Sequence, residues 1–326
     1  MAIPAQHSQG VDCIIIGAGV AGLMAAQELS QRGKRVCVLE KGRGLGGRMA
    51  TRRHDGAVFD HGAQFFTVRD PRFEAYVNDW RERGLVVPWY DFGSSGMHYR
   101  GDPGMTAIAK YLAAGLDVRR EVHVEKISFD GDHWCVFDRN DGVVVASHLL
   151  ITAPLPQALA LLRAGTIQLA PNDLTALQAI RYHRCIAALA TLDQPSAITG
   201  HTGALKLTGE PIQWIADNFR KGISPSVPSV TIHSTPAFAE AHWDIDDAVR
   251  LPKLLEAASE YLGAKVLSCH SHRWGFSQPM GAFRDEAFVD PNLHLAIAGD
   301  GLAGGRVEGA ALSGLTTGRA LAGMFA

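Results

Sequence analysis

Residues 11–22, Val-Asp-Cys-Ile-Ile-Ile-Gly-Ala-Gly-Val-Ala-Gly, decide the fold. The first half of this stretch is a short apolar run, which is typical of a strand buried on both faces of a sheet. A glycine-rich turn follows, and residues 21–32 have the pattern of a helix. A second apolar run, residues 35–39, then leads to Glu40. The sequence therefore predicts one βαβ unit at this end of the chain.

The turn carries the pattern Gly17-x-Gly19-x-x-Gly22. Gly17 permits a tight turn, Gly19 lets the backbone approach a pyrophosphate, and Gly22 lets the helix pack on the strand. The helix N-terminus offers unpaired N–H groups and a partial positive charge to phosphates. Glu40 lies at the distance expected of a ribose-hydroxyl acceptor, and its charge disfavours a 2′-phosphate there. The pattern predicts dinucleotide binding, whereas the structural alternative is a tight helix–sheet turn without a ligand.

A second glycine-rich stretch favours FAD over NAD. Residues 41–49 read Lys-Gly-Arg-Gly-Leu-Gly-Gly-Arg-Met. A glycine doublet followed by Arg48 suits a second loop over the pyrophosphate, with the arginine as a charge partner. Three further arginines are weaker candidates, because each is equally explained as a solvated surface residue: Arg43, Arg52 and Arg53.

A third motif, Ala298-Gly299-Asp300-Gly301-Leu302, follows a predicted buried strand over residues 293–298. A carboxylate at this place is suited to accept a hydrogen bond from a ribityl hydroxyl, and the next helix N-terminus suits the electron-rich edge of an isoalloxazine. The alternative is a helix N-cap, a position that aspartate favours. No second Gly-x-Gly-x-x-Gly unit occurs in mid-chain, which disfavours a separate NADPH domain. No cysteine lies near the third motif, which predicts non-covalent flavin.

Composition excludes several classes of function. The 326 residues have a formal net charge of −2 and are 47% hydrophobic and 20% charged, so neither a nucleic acid nor a membrane is expected as a partner. The five cysteines form no Cys-x-x-Cys pair, so no metal site and no dithiol redox centre are expected. The first ten residues lack the apolar core of a signal peptide, which predicts a cytoplasmic protein.

At these three motifs the chain resembles the flavin amine-oxidase superfamily. Within it, the chain resembles the renalase family, especially its bacterial members, over essentially its whole length. The stretches that carry this closer resemblance are residues 46–52, 60–67, 103–105, 272–274 with Pro279, and 305–310. The chain departs from bacterial renalases at residues 89–99, which are shortened, and at Gly275-Phe276-Ser277-Gln278, which leaves the substrate open.

The resemblance implies an α/β fold, in which a Rossmann-like FAD-binding domain of the p-hydroxybenzoate hydroxylase or glutathione reductase type carries an inserted α+β substrate-capping domain. It also implies non-covalent FAD and oxidation of dihydro-NAD(P) isomers by hydride transfer to flavin, with O2 as acceptor and H2O2 as product. The predicted FAD-binding segments are residues 1–66, 103–165 and 271–326. The predicted substrate-domain segments are residues 67–102 and 166–270.

No catalytic side chain is assigned, because the flavin performs the electronic work on a dihydropyridine. Aromatic rings are expected to line the pocket of a small-molecule substrate, and polar groups to bond a carboxamide or phosphate. Each of these residues is also explained as ordinary core or surface. The predicted cofactor-binding residues are Gly17, Gly19, Val20, Ala21, Gly22, Glu40, Lys41, Gly47, Arg48, Gln64, Val124, Gly299, Asp300, Arg306 and Val307. The substrate-pocket candidates are Gln64, Phe65, Tyr182, His183, Trp214, Asn218, His242, Arg273 and Trp274, with Phe276 as a further aromatic candidate.

Other functions stay open at this stage. An amine or amino-acid oxidase requires loss of an N–H proton and an aromatic pair or a carboxylate-binding arginine in its pocket. A non-catalytic flavin-binding protein, or an aromatic hydroxylase, is also compatible with the motifs.

Overall fold

The computed structural model describes residues 10–91, 93, 96–199, 202–281 and 283–325. The helices are α1 (Val20–Gln31), α2 (Pro71–Glu82), α3 (Thr106–Ala113), α4 (Leu155–Ala164), α5 (Pro171–Gln178), α6 (Pro236–Ala241), α7 (Asp247–Leu262), α8 (Asp300–Ala303) and α9 (Val307–Ala322), with a short 3-10 helix at Gly47–Met49. The strands are β1 (Val11–Ile16), β2 (Val36–Glu40), β3 (Thr51–His54), β4 (Ala57–Asp60), β5 (Val86–Asp91), β6 (Met97–Gly101), β7 (Asp117–Arg120), β8 (Val124–Phe129), β9 (Trp134–Asp138), β10 (Val143–Ile151), β11 (Arg181–Leu192), β12 (Ala204–Lys206), β13 (Ile212–Asp217), β14 (Ser229–Ser234), β15 (Val266–Met280), β16 (Phe288–Asp290) and β17 (Leu295–Ile297).

The chain divides into two compact units, both of them discontinuous. The first unit comprises Met1–Gly47, Ala109–Arg181 and Pro279–Ala326, and the second comprises Arg48–Ile108 and Tyr182–Gln278. The segment ends predicted from sequence, at residues 66, 102, 165 and 270, differ from these. The largest difference arises because the β3–β4 hairpin belongs to the second unit, in which Val58 N–H donates to Ser224 Oγ.

The first unit is built on an eight-stranded sheet. Its main strand order is β16-β17-β10-β1-β2-β7, with β9 also pairing with β10, and β8 with β9. Strands β17, β10, β1, β2 and β7 run parallel. Cys13, Ile14 and Ile15 of β1 are fully buried, as the predicted two-sided burial requires. The α/β fold class and the first βαβ unit are therefore confirmed.

Strand β10 is longer than the sequence pattern indicates. The pattern predicts a separate buried strand at residues 148–152, but the structure continues one strand from Val143 to Ile151. Residues 143–146 pair antiparallel with β9, whereas residues 149–151 pair parallel with β17. Because the partner changes midway, only the second half, residues 148–151, is buried throughout, whereas buried residues alternate with more exposed ones in the first half.

Two glycines bring backbone segments of the first unit into close contact. A Cβ on Gly22 would lie 2.1 Å from the carbonyl oxygen of Gly17, so only glycine lets α1 begin this close to β1. A Cβ on Gly314 would lie 2.1 Å from the carbonyl oxygen of Ala21, so α9 crosses α1 with almost no separation.

The second unit is built on the five-stranded sheet β12-β13-β14-β11-β15. Alternate residues of β11 point to opposite faces of this sheet. Ile186 and Ala188 join a core with Leu254 of α7, whereas Ala187 packs with Phe59 of β4. Helix α7 therefore covers one face of β11 and the β3–β4 hairpin the other.

Two features of the described residues concern cellular environment. All five cysteines are free thiols, and all but Cys269 are buried. Among helices in the described ranges, none is both long and apolar enough to cross a membrane.

The close helix crossing gives a stability prediction. Replacing Gly314 by alanine places a methyl group against the Ala21 carbonyl, so we expect the unfolding free energy to fall by about 1–3 kcal/mol. The control is Gly323→Ala at the end of the same helix, where the nearest atom to a Cβ is 3.5 Å away. Urea denaturation of both variants measures the difference. Equal stabilities would contradict the assigned contact.

Candidate functional site

The predicted phosphate-binding turn is open to a ligand. Gly17 has a φ of +108°, which favours glycine, and its N–H donates to Leu39 O at 2.8 Å. Gly19 is the N-cap of α1 and provides no side-chain cap, and a Cβ there would meet nothing within 4 Å. The first N–H groups of α1, beginning at Val20 and Ala21, therefore have the arrangement that binds phosphate oxygens.

Glu40 links the two glycine-rich loops. Its Oε2 accepts from Ala18 N–H at 2.9 Å, and its Oε1 accepts from Gly42 N–H at 2.7 Å. Gly46 N–H in turn donates to Ala18 O at 2.9 Å, and Gly46 forms a bridge with Gly19. Each carboxylate oxygen accepts more than one hydrogen bond, so the Glu40 carboxylate retains capacity for ribose hydroxyls. The turn and this carboxylate fit the nucleotide half of FAD.

The other candidates near this turn are peripheral. Lys41 and Gly47 are exposed, and Val124 begins β8 half-buried. Val124 lies two residues beyond Val122, whose N–H donates to Glu40 O at 3.0 Å. The chain before β8 therefore runs beside the acid that we expect to bind ribose.

The C-terminal motif also belongs to the first unit. Gly299 has a φ of +145°, and its N–H donates to Ser313 Oγ at 2.8 Å. Asp300 is buried and is the first residue of α8, with Gly299 in the N-cap position, so the N-cap alternative for Asp300 is not what the structure has. Arg306 is the exposed N-cap residue of α9, and Val307 is its half-buried first residue.

In the second unit, Arg48 is near a pair of aromatic rings. Its Nη1 donates to Phe276 O at 3.3 Å, and its guanidinium lies 5.9 Å from the ring centre of Tyr182. The rings of Tyr182 and Phe276 meet edge to face, with centres 5.7 Å apart. These three predicted residues therefore form one group.

A larger group of rings, which we call the aromatic cluster, consists of Phe65, Trp89, Tyr90, His98 and Trp214. Ring centres of Phe65 lie 4.5 Å from His98 and 5.4 Å from Trp214. Tyr90 stacks on His98 at 4.4 Å with an interplanar angle of 12°. Nε1 of Trp214 is buried and has no hydrogen-bond partner among the described residues. The cluster thus offers flat apolar faces and one buried N–H donor.

A buried ion pair lies beside the aromatic cluster. Lys221 Nζ donates to Asp60 Oδ2 at 2.8 Å and lies 4.7 Å from the ring centre of Trp89. Asp60 Oδ1 accepts from Thr51 Oγ1 at 2.6 Å and from Met105 N–H at 2.9 Å. Burial lowers the pKa of Lys221, and the Asp60 carboxylate opposes that shift.

Gln64, which is a predicted cofactor-binding and substrate-pocket residue, contacts this ion pair. Its Oε1 lies 3.4 Å from Lys221 Nζ, and its Nε2 donates to the Asp60 and Gly62 carbonyls. Gln64 is buried and adjoins Phe65 of the aromatic cluster.

The remaining pocket candidates lie elsewhere in the second unit. Asn218 is fully buried and donates to Thr231 Oγ1 at 3.0 Å, which is a core contact. His242 stacks on Phe238 at the end of α6. Arg273 is exposed and donates to Trp243 O at 2.8 Å, whereas Trp274 stacks on His61 at 5.1 Å. His183 is half-buried on β11.

Sequence reasoning missed Trp89, Tyr90, His98 and Lys221. A usable signal existed for two of them, since Tyr90 and His98 pair across the β5–β6 hairpin, which glycines flank. No local signal connects Lys221 to Asp60, because 161 positions separate them.

His61 is a buried neutral histidine next to Trp274. Burial lowers its pKa from 6.5 to about 3, and the neighbouring His272 acts in the same direction. Its ring stacks on Trp274, whose Nε1 donates to the His61 carbonyl at 2.8 Å. The side chain therefore serves packing and remains unprotonated near neutral pH.

Comparisons with known proteins show which families the chain matches. Residues 15–80 match the family described as NAD(P)-binding Rossmann-like domain, and residues 84–322 match the family described as flavin containing amine oxidoreductase. An L-amino acid dehydrogenase of Synechocystis sp. is 39% identical over 82 residues, which are 25% of this chain and 17% of the relative. The chain therefore spans less than two thirds of the length of the curated relatives it matches.

Solved structures share the fold. A putative protoporphyrinogen oxidase from Exiguobacterium sp. superposes with a TM-score of 0.73 at 13% identity, covering 97% of this chain and 99% of the other. Cyclohexylamine oxidase from Brevibacterium oxydans superposes with a TM-score of 0.68 at 15% identity, covering 96% and 99%.

The role of Glu40 is testable by ligand affinity. Glu40→Ala removes the acceptor of two loop amides and of the ribose, so we expect FAD affinity to fall about tenfold or more. The control is Asp12→Ala, which removes a carboxylate paired with Arg35 at the opposite end of β1. Fluorescence titration of the apoproteins with FAD measures both. Unchanged affinity in the Glu40 variant would overturn its assignment.

The buried histidine predicts a pH dependence of stability. The unfolded chain binds a proton on His61 below pH 6.5, whereas the folded chain does so only near pH 3, so acid favours unfolding. His61→Phe keeps a ring against Trp274 and removes this term. We expect the stability loss between about pH 7.5 and pH 5 to be smaller by about 2 kcal/mol in the variant. Urea denaturation at both pH values measures it, and identical losses would refute it.

Proposed function

Since the chain belongs to the family of flavin-containing amine oxidoreductases, its cofactor is FAD, and we propose that it oxidises dihydro isomers of NAD(P). FAD supplies a two-electron acceptor when bound. The substrate carbon loses a hydride, the ring becomes the aromatic NAD(P)+, and O2 takes up two electrons and two protons as H2O2. One of those protons comes with the hydride, counted as a proton and two electrons, and the other comes from solvent.

The first unit is proposed to hold FAD non-covalently. The supporting contacts are the uncapped turn at Gly19 and the Glu40 carboxylate, which bonds both glycine-rich loops. Arg48 and Gln64, predicted to assist, lie in the second unit.

The observation that carries the substrate proposal is the buried Nε1 of Trp214 in the aromatic cluster, which has no hydrogen-bond partner in the described part of the chain. A buried N–H donor without an acceptor is unfavourable by about 1–3 kcal/mol until a ligand supplies one. A carboxamide on a flat ring supplies both an acceptor oxygen and a stacking face. A protonated alkyl amine supplies neither, because its ammonium group has no free lone pair.

The ion pair beside the cluster points the same way. Oxidation of an amine requires loss of an N–H proton, whereas a dihydropyridine loses only a hydride. Lys221 and Asp60 bond each other, and the Asp60 carboxylate accepts two further hydrogen bonds, so neither group is placed to take up a proton.

A second candidate is oxidation of an amine or an amino acid. Its support is the family description itself and the shared fold with cyclohexylamine oxidase. This candidate assigns the aromatic cluster to an apolar amine substituent.

Anaerobic stopped-flow spectroscopy tests the proposal. We expect dihydro-NAD(P) isomers to bleach the flavin absorption rapidly and a panel of amines and amino acids to leave it unchanged. On admission of air, we expect one H2O2 per oxidised substrate. Bleaching by an amine alone would overturn the leading proposal, and bleaching by no donor would favour a non-catalytic flavoprotein.

Trp214 itself is tested by a conservative variant. Trp214→Phe keeps a ring and removes the N–H, so we expect the substrate Kd in the bleaching reaction to rise about tenfold. A dihydropyridine without a carboxamide serves as the comparison ligand, and its Kd is expected not to change. Trp243→Phe, outside the cluster, is the matched control. Equal effects on both ligands would contradict the proposed hydrogen bond.

A further inference from the structure

The tip of the β3–β4 hairpin places two potential metal ligands side by side. His54 is the last residue of β3, and Asp55 and Gly56 form the turn. Asp55 has a φ of +49° and Gly56 of +77°, the left-handed pair that a two-residue hairpin turn of type I′ requires. This rigid turn fixes the Asp55 carboxylate beside the His54 imidazole, with 3.4 Å between Nε2 and Oδ2.

A third ligand comes from a distant part of the sequence. His270 lies on β15, and its Nε2 is 4.0 Å from the same Asp55 Oδ2. The rings of His54 and His270 meet edge to face with centres 3.8 Å apart. One ligand atom from each of the three residues lies within 4.8 Å of the other two. Ser268, two residues before His270, also approaches, with its Oγ 3.4 Å from Asp55 Oδ2.

This donor set has the chemistry of a divalent transition-metal site. Zinc binds imidazole nitrogen and carboxylate oxygen at about 2.0–2.2 Å, which places neighbouring ligand atoms of a tetrahedron about 3.3–3.6 Å apart. The His54–Asp55 distance already meets this value. Two imidazoles on one tetrahedral ion have ring centres about 5 Å apart, so the rings of His54 and His270 must separate from 3.8 Å to bind the ion together. Two neutral imidazoles and one carboxylate have a total charge of −1. A divalent cation bound to them gives the site a net charge of +1.

Simple ion pairing explains the arrangement less well. Two protonated imidazoles facing one carboxylate oxygen repel each other at this ring separation. The three side chains are 40%, 56% and 45% exposed, so a hydrated ion reaches them and retains water in its remaining coordination positions. Arg52 and Arg53, the two residues before His54 on β3, are positive charges on the hairpin that oppose metal binding.

We propose that His54, Asp55 and His270 form a binding site for one divalent transition-metal ion of the Zn2+ class. The ion joins the hairpin tip to β15 within the second unit. Its donors are surface groups distinct from the aromatic cluster and from the loops proposed to bind FAD. The site therefore stands independently of the proposed reaction.

Isothermal titration of Zn2+ into the FAD-loaded protein tests the site, after removal of any affinity tag and treatment with chelator. We expect one Zn2+ per chain at neutral pH. Each of His54→Ala, His270→Ala and Asp55→Asn is expected to weaken binding about tenfold or more.

The controls separate the site from other surface donors. Asparagine tolerates the left-handed backbone of Asp55, so Asp55→Asn preserves the turn. Its matched control is Asp141→Asn, at a φ of +62° in the β9–β10 hairpin, and the matched histidine control is the exposed His133→Ala. Far-ultraviolet circular dichroism and flavin absorption verify that every variant is folded and loaded.

A second readout measures the proposed cross-link. Zn2+ is expected to raise the Tm of the wild type and of both control variants, and to raise the Tm of the three site variants by less at the same Zn2+ concentration. Absence of Zn2+ binding by the wild type would overturn the proposal. Equal binding by site variants and controls would overturn it as well, since the ion would then occupy other groups.

Discussion

The contact on which the first unit depends is the approach of backbone to backbone without intervening side chains. Gly22 lies where a Cβ would meet the Gly17 carbonyl, and Gly314 lies where a Cβ would meet the carbonyl of Ala21. Because neither glycine has a Cβ, β1, α1 and α9 can meet at one turn. Gly19, the N-cap residue of α1, provides no side-chain cap, so the first amides of this closely packed helix have the arrangement that binds phosphate.

The second unit is organised around a charge pair instead. The Asp60 carboxylate collects hydrogen bonds from Thr51, Met105 and Lys221, and thereby joins its two chain segments. Replacing only one partner of such a buried pair leaves an uncompensated charge, so the pair is maintained as a unit. Its position against Trp89 gives the aromatic cluster a fixed border, as the proposed pocket for a flat substrate requires.

The parts of the fold that sequence predicts are those encoded locally. The strand, glycine turn and helix at the start of the chain lie within about twenty residues, and each has a steric requirement that only certain residues meet. The sequence pattern predicts a separate strand at residues 148–152, whereas β10 is continuous from Val143 to Ile151. The difference arises because the neighbouring strand changes from β9 to β17 along its length. The contacts of Asp60 with Lys221 and of Asp55 with His270 depend on how distant segments pack, which no periodicity in one sequence encodes.

The interpretation of this protein depends on one proposal, which is that the first unit binds FAD through its glycine turn and Glu40. The most direct measurement is calorimetric titration of the flavin-free protein with FAD, with NAD+ as the comparison ligand. We predict one FAD bound per chain, a yellow protein and far weaker binding of NAD+. A protein that stayed colourless and took up no FAD, or that preferred NAD+, would contradict it.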